Sequence, residues 1–387
     1  MRTRLATFVV IAQTIFLLAH LFVYDTWTAF HPAADPAGTW RWQLAVVLVS
    51  VSFVTASILA FRFHSFLVRV FYTSAAVWLG AVNYLLGAAG LCWLSYGLLR
   101  LFGLSVNRPV LADVVFGVAM AVSVYGLVNA GLLRVKRLSV QLPNLPESWQ
   151  GRTAALVSDL HLGDVRNVGF ARRIVARIRQ LRPDAVLIAG DLYDGVAADY
   201  GRLAQPFAAL EAPLGAYYVT GNHEEFSDRT KYLRAVSGAG VRVLNNEKVL
   251  IDGLQVVGVH YREAVGDERL RSVLRAAAID RDRPSILLTH APDHLRPAEE
   301  EGISLQLSGH THDGQLVPFT WIVSRIYGPF RYGLHRWRNL LVYTSSGAGT
   351  WGPPMRVGSR PEVVLIEFGP QLEGEGRAGP DSHLRLE

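Results

Sequence analysis

Five short clusters of Asp, Asn and His stand out in this 387-residue chain. They are Asp159-Leu160-His161, Gly190-Asp191, Gly221-Asn222-His223-Glu224, His290 and Gly309-His310-Thr311-His312. Imidazole and carboxylate together suit borderline divalent transition metals such as Mn, Fe, Zn or Co. The single cysteine, Cys92, removes any disulfide framework and argues against a structural zinc or an iron-sulfur centre. Each cluster alone has a plainer reading: a Gly-Asp after a strand is usually a turn, and an Asp-x-His pair often holds nothing. All five in one order, each after an apolar run, point to a shared metal chemistry.

The elements that position them are readable from periodicity. Candidate strands are Leu138–Leu142, Thr153–Ser158, Ala185–Ala189, Ala216–Thr220, Val249–Ile251, Leu254–Val259, Ser285–Thr289, Ser304–Leu307, Leu340–Thr344 and Glu362–Phe368. Val168–Leu181, Arg202–Leu210, Thr230–Gly238 and Glu268–Ala278 read as amphipathic helices. Strands alternating with helices imply an α/β layered domain. The five clusters fall at the carboxyl ends of predicted strands, where open α/β sheets bind ligands. The chain from Pro370 on has no periodicity and is expected to be a disordered tail.

These clusters resemble the calcineurin-like metallophosphoesterases, whose pattern is D-x-H, G-D, G-N-H-[DE], H and G-H-x-H in that order. The likeness spans residues 138–369 and is nearest the bacterial membrane-associated branch, which also carries segments like Ser346-Gly347-Ala348-Gly349-Thr350 and Arg360-Pro361-Glu362. Asp313 departs from the glycine common there and stands to alter the loop beside His312. The resemblance implies an α/β sandwich of two mixed sheets flanked by helices. It also implies two divalent cations (Mn, Fe, Zn or Co), with Asp159, His161 and His312 on one, Asn222, His290 and His310 on the other, and Asp191 bridging. Asp191 and His223 would be the catalytic residues, with His223 beside the leaving oxygen as general acid or hydrogen-bond donor and a metal-bridging hydroxide attacking phosphorus. The spacing fits independently: His310 and His312 alternate by two, and a shared carboxylate holds paired metals about 3.5–4 Å apart.

Asp194 and Glu224 have two open roles, orienting the histidines or capping turns. His260, His294, His335 and His383 match no ligand pattern and are expected in surface or packing roles, and His31 carries no signal. Protein phosphatases of the superfamily carry Arg after the second Asp of the Gly-Asp motif; here Asp194 is followed by Gly195, which disfavours that substrate class. A phosphodiesterase, pyrophosphohydrolase or nonspecific phosphoesterase remains. The run Leu316–Tyr332 is apolar and aromatic and includes Arg325 and Arg331. It reads as packing, or as an interfacial lip in which Trp321 and Phe330 meet lipid.

Composition assigns the rest. Half the residues are hydrophobic and 18% charged, below the roughly 25% of soluble domains. Four apolar runs, Leu5–Tyr24, Trp42–Phe61, Val70–Leu99 and Val110–Leu133, each reach the length of about 20 residues that a spanning helix needs. The third is too short for two spans hinged at Gly87 and Gly90, so a bundle of about four transmembrane helices is expected over residues 1–137. Asn83 and Asn129 read as helix-helix hydrogen bonders, and Asp113, His20 and His64 as interfacial. Flanking basic residues number seven on the N-terminal side of the bilayer (Arg2, Arg4, Arg62, Arg69, Arg134, Lys136, Arg137) against three opposite (Arg41, Arg100, Arg108). That asymmetry predicts a cytoplasmic catalytic domain for a four-span count, which a fifth span would reverse, and the resemblance to the bacterial branch implies an inner-membrane protein. The net charge of +6 divides into +7 for residues 1–137 and −1 for the remainder. The basic excess therefore orients helices rather than marking nucleic-acid binding, and a membrane-anchored phosphoesterase, with lipid-linked esters among its candidate substrates, outranks a nuclease or nucleotide phosphodiesterase. A catalytically silent membrane scaffold would be expected to lack a ligand, and none is missing.

Overall fold

The computed structural model describes residues 2–32, 39–63, 65–194, 199–226 and 229–370. The expected tail beyond 370, with His383, lies outside them, as do His64 and Gly195. The described residues form two compact units, those up to Asn129 with Gly352–Val357, and Ala130–Trp351 with residues 358–370.

The first unit is helical. α1 (Arg2–Phe30), α4 (Phe66–Leu101) and α5 (Arg108–Gly131) are each long and apolar enough to cross a membrane. α2 (Thr39–Ser50) and α3 (Ser52–Arg62) are bent by 40° and make a fourth span if they act together. The long third run is one 36-residue helix with Gly87 and Gly90 inside it. Small residues allow close approach around Ala88, Ala89, Cys92 and Ala112, while Val10, Leu18, Val114 and Val128 face outward. His20 is buried and accepts from Trp78 Nε1 at 2.9 Å, an inter-helix bond. Asn129 Nδ2 donates to Arg356 O at 2.9 Å, in the 352–357 segment. His31, which carried no sequence signal, lies 3.2 Å from Asp113.

The second unit is an α/β sandwich of two six-stranded mixed sheets, the class expected. Strands β1 (Arg134–Leu142), β12 (Glu362–Pro370), β2 (Thr153–Val157), β3 (Ala185–Ala189), β4 (Ala216–Val219) and β5 (Arg242–Val243) lie in that order in one sheet. The other runs β10 (Gly333–Trp337), β11 (Leu340–Thr344), β9 (Leu305–Ser308), β8 (Ser285–Leu288), β7 (Leu254–Gly258), β6 (Glu247–Ile251). Leu156, Leu187, Val219, Val256, Ile286 and Leu305 meet between the sheets. The amphipathic helix α6 (Val168–Leu181) covers the outside of the first sheet through Ile174 and Ile178, and α10 (Asp267–Ala276) covers the second through Leu270 and Leu274.

Several boundaries move for physical reasons. β1 starts at Arg134, not 138, because Arg134–Arg137 pair in parallel with Glu362–Leu365. The predicted helix 202–210 divides into α7 (Tyr200–Ala204) and a 3₁₀ turn, where Pro206 supplies no N–H. β5 and β10 were not foreseen: the former has two residues, and Gly333-Leu-His-Arg-Trp lacks a continuous apolar stripe. β2, β3 and β4 are mutually parallel, as are β7, β8 and β9, so their carboxyl ends collect along one edge.

Candidate metal centre

That edge gathers all seven residues singled out as metal ligands. Asp159 follows β2, Asp191 follows β3, Asn222 follows β4, His290 follows β8 and His310 follows β9, with His161 and His312 two residues further on. They form two adjoining groups. In one, His161 Nε2 lies 3.0 Å from His312 Nε2, and His312 Nε2 lies 3.5 Å from Asp159 Oδ1. In the other, Asn222 Oδ1 lies 3.0 Å from His290 Nε2 and 2.9 Å from His310 Nδ1. Asp191 Oδ2 stands between them, 3.7 Å from His161 Nε2 and 3.2 Å from His290 Nε2.

The backbone is contorted to achieve this. Asp159, His161, Asp191, His310 and His312 all have φ between 49° and 73°, the left-handed region that Asp and His enter more readily than most residues. Neighbouring glycines make room: a Cβ on Gly221 would collide with Asp191 Oδ1, and one on Gly309 with Asp159 Oδ2. Asp313 is left-handed as well (φ 50°), which accounts for glycine suiting this position, and its carboxylate accepts from Arg331.

Supporting contacts distinguish roles the sequence left open. Glu224 is buried and accepts from the N–H groups of Gly221 (2.7 Å), Tyr193 (2.9 Å) and Asp191 (3.1 Å). It is thus a brace between the loops after β3 and β4. Asp194 does face histidines, with Oδ1 3.5 Å from His161 Nδ1 and 3.8 Å from His223 Nδ1. His223 Nδ1 donates to Asp194 O at 3.1 Å, its N–H donates to Asp191 Oδ1 at 2.9 Å, and its ring lies 4.6 Å from that of His161. Sequence reasoning did not pick out the aromatic rim: Tyr261 and Tyr327 lie 6.1 Å from His310, and Trp351 5.8 Å from His223. Only Trp351 had a signal, its place after the glycine-rich segment. It also missed Arg166, buried, whose guanidinium donates to Thr350 Oγ1 (3.1 Å) and to Ala130 O (3.3 Å). Of the remaining histidines, His260 is buried against Thr220, His294 pairs with Asp267, and His335 bonds Tyr332 O. None joins the cluster.

Residues 153–314 match the calcineurin-like phosphoesterase family model. A transmembrane protein with metallophosphoesterase domain from Bos taurus is 30% identical over 414 residues, covering 94% of this chain and 89% of its own. The chain belongs to the metallophosphoesterases. The corresponding Danio rerio protein is 34% identical over 68% of this chain, and an uncharacterized metallophosphoesterase from Helicobacter pylori 33% identical over 62%. The chain spans 63% and 64% of the length of those two relatives.

Membership of the metallophosphoesterases implies a dinuclear divalent metal centre, and the donors fit one. His290 Nδ1 must donate to Ala189 O at 2.8 Å, so in the neutral ring Nε2 is a lone pair. It faces Asn222 Oδ1, Asp191 Oδ2 and His310 Nδ1, all within 3.2 Å. Acceptors converging in a buried site need a cation among them. A proton meets that need in part. Burial alone would lower His290, but Asp191 and then Asp159 carry it up to about 10. Burial and the charge on His290 push His310 down to about 3. Burial would raise Asp191, yet His290 and His161 hold it well below the ordinary carboxylate range. A divalent cation bound among these donors would do the same work for them at once.

Proposed function

We propose that this chain is a membrane-anchored, metal-dependent phosphoric ester hydrolase that cleaves phosphate mono- or diesters at a two-metal centre. The observation that carries the reading is the position of Asp191 Oδ2 between the His161 and His290 donor groups. Asp159, His161 and His312 would hold one metal, Asn222, His290 and His310 the other, and Asp191 both; Mn, Fe, Zn and Co each suit the set. A bound metal pair acidifies water and neutralises the charge on phosphate oxygens.

The chain's own residues supply the rest. Glu224 fixes the backbone at Asp191 and Gly221, so the shared carboxylate cannot swing away. Anchoring of His223 Nδ1 on Asp194 O leaves Nε2 as the nitrogen that can carry a proton toward the leaving oxygen. Burial and His161 keep His223 below its ordinary value, so the charged ring would give up its Nε2 proton readily.

The catalytic domain is taken as residues 138–369, with β1 (Arg134–Leu142) and β12 (Glu362–Pro370) as its outermost paired strands. The seven basic flanking residues support a cytoplasmic placement if the α2–α3 pair crosses once. Anchoring supports substrates at or near the membrane surface. Hydrolysis of bis-p-nitrophenyl phosphate by the full-length protein in detergent, with Mn²⁺ added, tests the reading. Metal-dependent turnover that Asp191→Ala abolishes is the expected result; inactivity with every divalent metal tried overturns it.

A further inference from the structure

We propose that the helix α12 (Phe319–Tyr327) docks on an anionic lipid bilayer through an apolar face beside the candidate site. Phe319, Trp321, Ile322 and Ile326 are 48%, 68%, 51% and 66% exposed. At 100° per residue they share one side of the helix with exposed Arg325, while buried Thr320 and half-buried Tyr327 occupy the other. A helix on a water-facing surface normally turns such a stripe inward. This one turns it outward, and its polar member is a cation. Phe330, the other aromatic of this insert expected to meet lipid, packs instead on the Leu270, Leu274 and Leu340 cluster.

The occupant follows from where the chain leaves its last candidate span. α5 ends at Gly131, and Lys136 comes five residues later on β1, at most about 18 Å of extended chain. Lys136 Nζ donates to Tyr332 Oη at 3.2 Å, and Tyr332 lies five residues beyond α12. The helix therefore sits near the point where the chain enters the domain. Arg134 and Arg137, exposed on β1, add positive charge at that exit. Tryptophan, aliphatic residues and arginine together are the composition that seats a helix at the headgroup boundary. Tyr327, on the inward side, brings the docked helix within 6.1 Å of the His310 ring. A bilayer held there would present phosphate headgroups at the mouth of the site.

The inference rests on the N-terminal helices lying in a bilayer and not on hydrolysis, so it is read without activity. In a Cys92→Ala background, Ile322→Cys or Ile326→Cys in the full-length protein carries a bimane label, with Arg172→Cys on α6 as control. The proteins are reconstituted in equimolar phosphatidylcholine and phosphatidylglycerol containing headgroup-region nitroxide lipids. Loss of fluorescence at 322 and 326 but not at 172 is the expected result, with the loss reduced at 322 when Trp321→Gln and Ile326→Gln are added and the melting temperature is unaltered. Labels at 322 and 326 that stay unquenched by lipid and open to aqueous iodide overturn the proposal. So does energy transfer between labelled copies in lipid-free detergent, which would make the face a contact with a second chain.

Discussion

Glu224 Oε2 accepts the backbone N–H of Asp191 at 3.1 Å, joining a carboxylate after β4 to the backbone after β3. The same oxygen accepts from Gly221 and its partner Oε1 from Tyr193. Glu224→Gln puts an NH₂ where N–H groups need an acceptor. We expect metal affinity to fall by about 10–100-fold, as when outer partners of metal ligands are removed, measured by titrating Mn²⁺ against activity and by calorimetry. Unchanged affinity would return Glu224 to a simple turn cap.

His223 touches the site without belonging to either donor group. His223→Ala should lower kcat by about 10²–10⁴ while elemental analysis still finds the wild-type metal content. Loss of metal in that variant would make His223 a ligand and not a proton carrier.

Gly309→Ala tests the crowding around Asp159. The added Cβ meets Asp159 Oδ2 and Ser158 Oγ, and the Asp159 carboxylate cannot move without disturbing its bonds from the His310 N–H at 3.0 and 3.1 Å. Metal content should drop in this variant even though no ligand has changed; full occupancy would contradict the close approach.

Burial lowers His260 to about 4, while the unfolded residue titrates near 6.5. Below that value the unfolded chain takes the proton first, so the contribution is whole above pH 6.5 and is lost as pH falls toward 4. At pH 5 the loss is about 2 kcal/mol. Melting of the full chain in detergent between pH 7 and pH 5 should show His260→Gln less acid-sensitive than wild type; parallel curves would count against this account.

Chelation should lower the melting temperature as well as stop turnover, because a cation that binds only the folded site stabilises it by mass action. Readdition of Mn²⁺ should restore both. A melting temperature indifferent to chelator would mean that the buried Asp and His donors are satisfied without metal.

How legible the site was depended on what each residue needs from its neighbours. Asp159, Asp191, Asn222, His290 and His310 follow short apolar strands, a local pattern visible in one dimension. Glu224 acts through backbone groups of another loop, and nothing local separates a brace from a turn cap. Trp351 and Tyr327 reach the site from segments remote in sequence, and their types alone fit core or rim. The helical unit shows the same division. Apolar length announced the spans, whereas the bond of Asn129 to Arg356 depends on a segment 227 residues away. α12 was read as an apolar insert; its helical form is set by the amphipathic face that packs Thr320 and Tyr327, which hydropathy alone does not separate from its exposed one.

The left-handed backbone at five of the seven donors limits what this centre can become. Coordination chemistry alone would let a thiolate or a glutamate replace a histidine or an aspartate, shifting metal preference one ligand at a time. At Asp159, His161, Asp191, His310 and His312 such a newcomer must also bear a φ that Asn, Asp and His tolerate best. Single substitutions toward softer ligands should therefore cost folding before they alter metal choice. Redesign for another metal would have to rebuild the turns first.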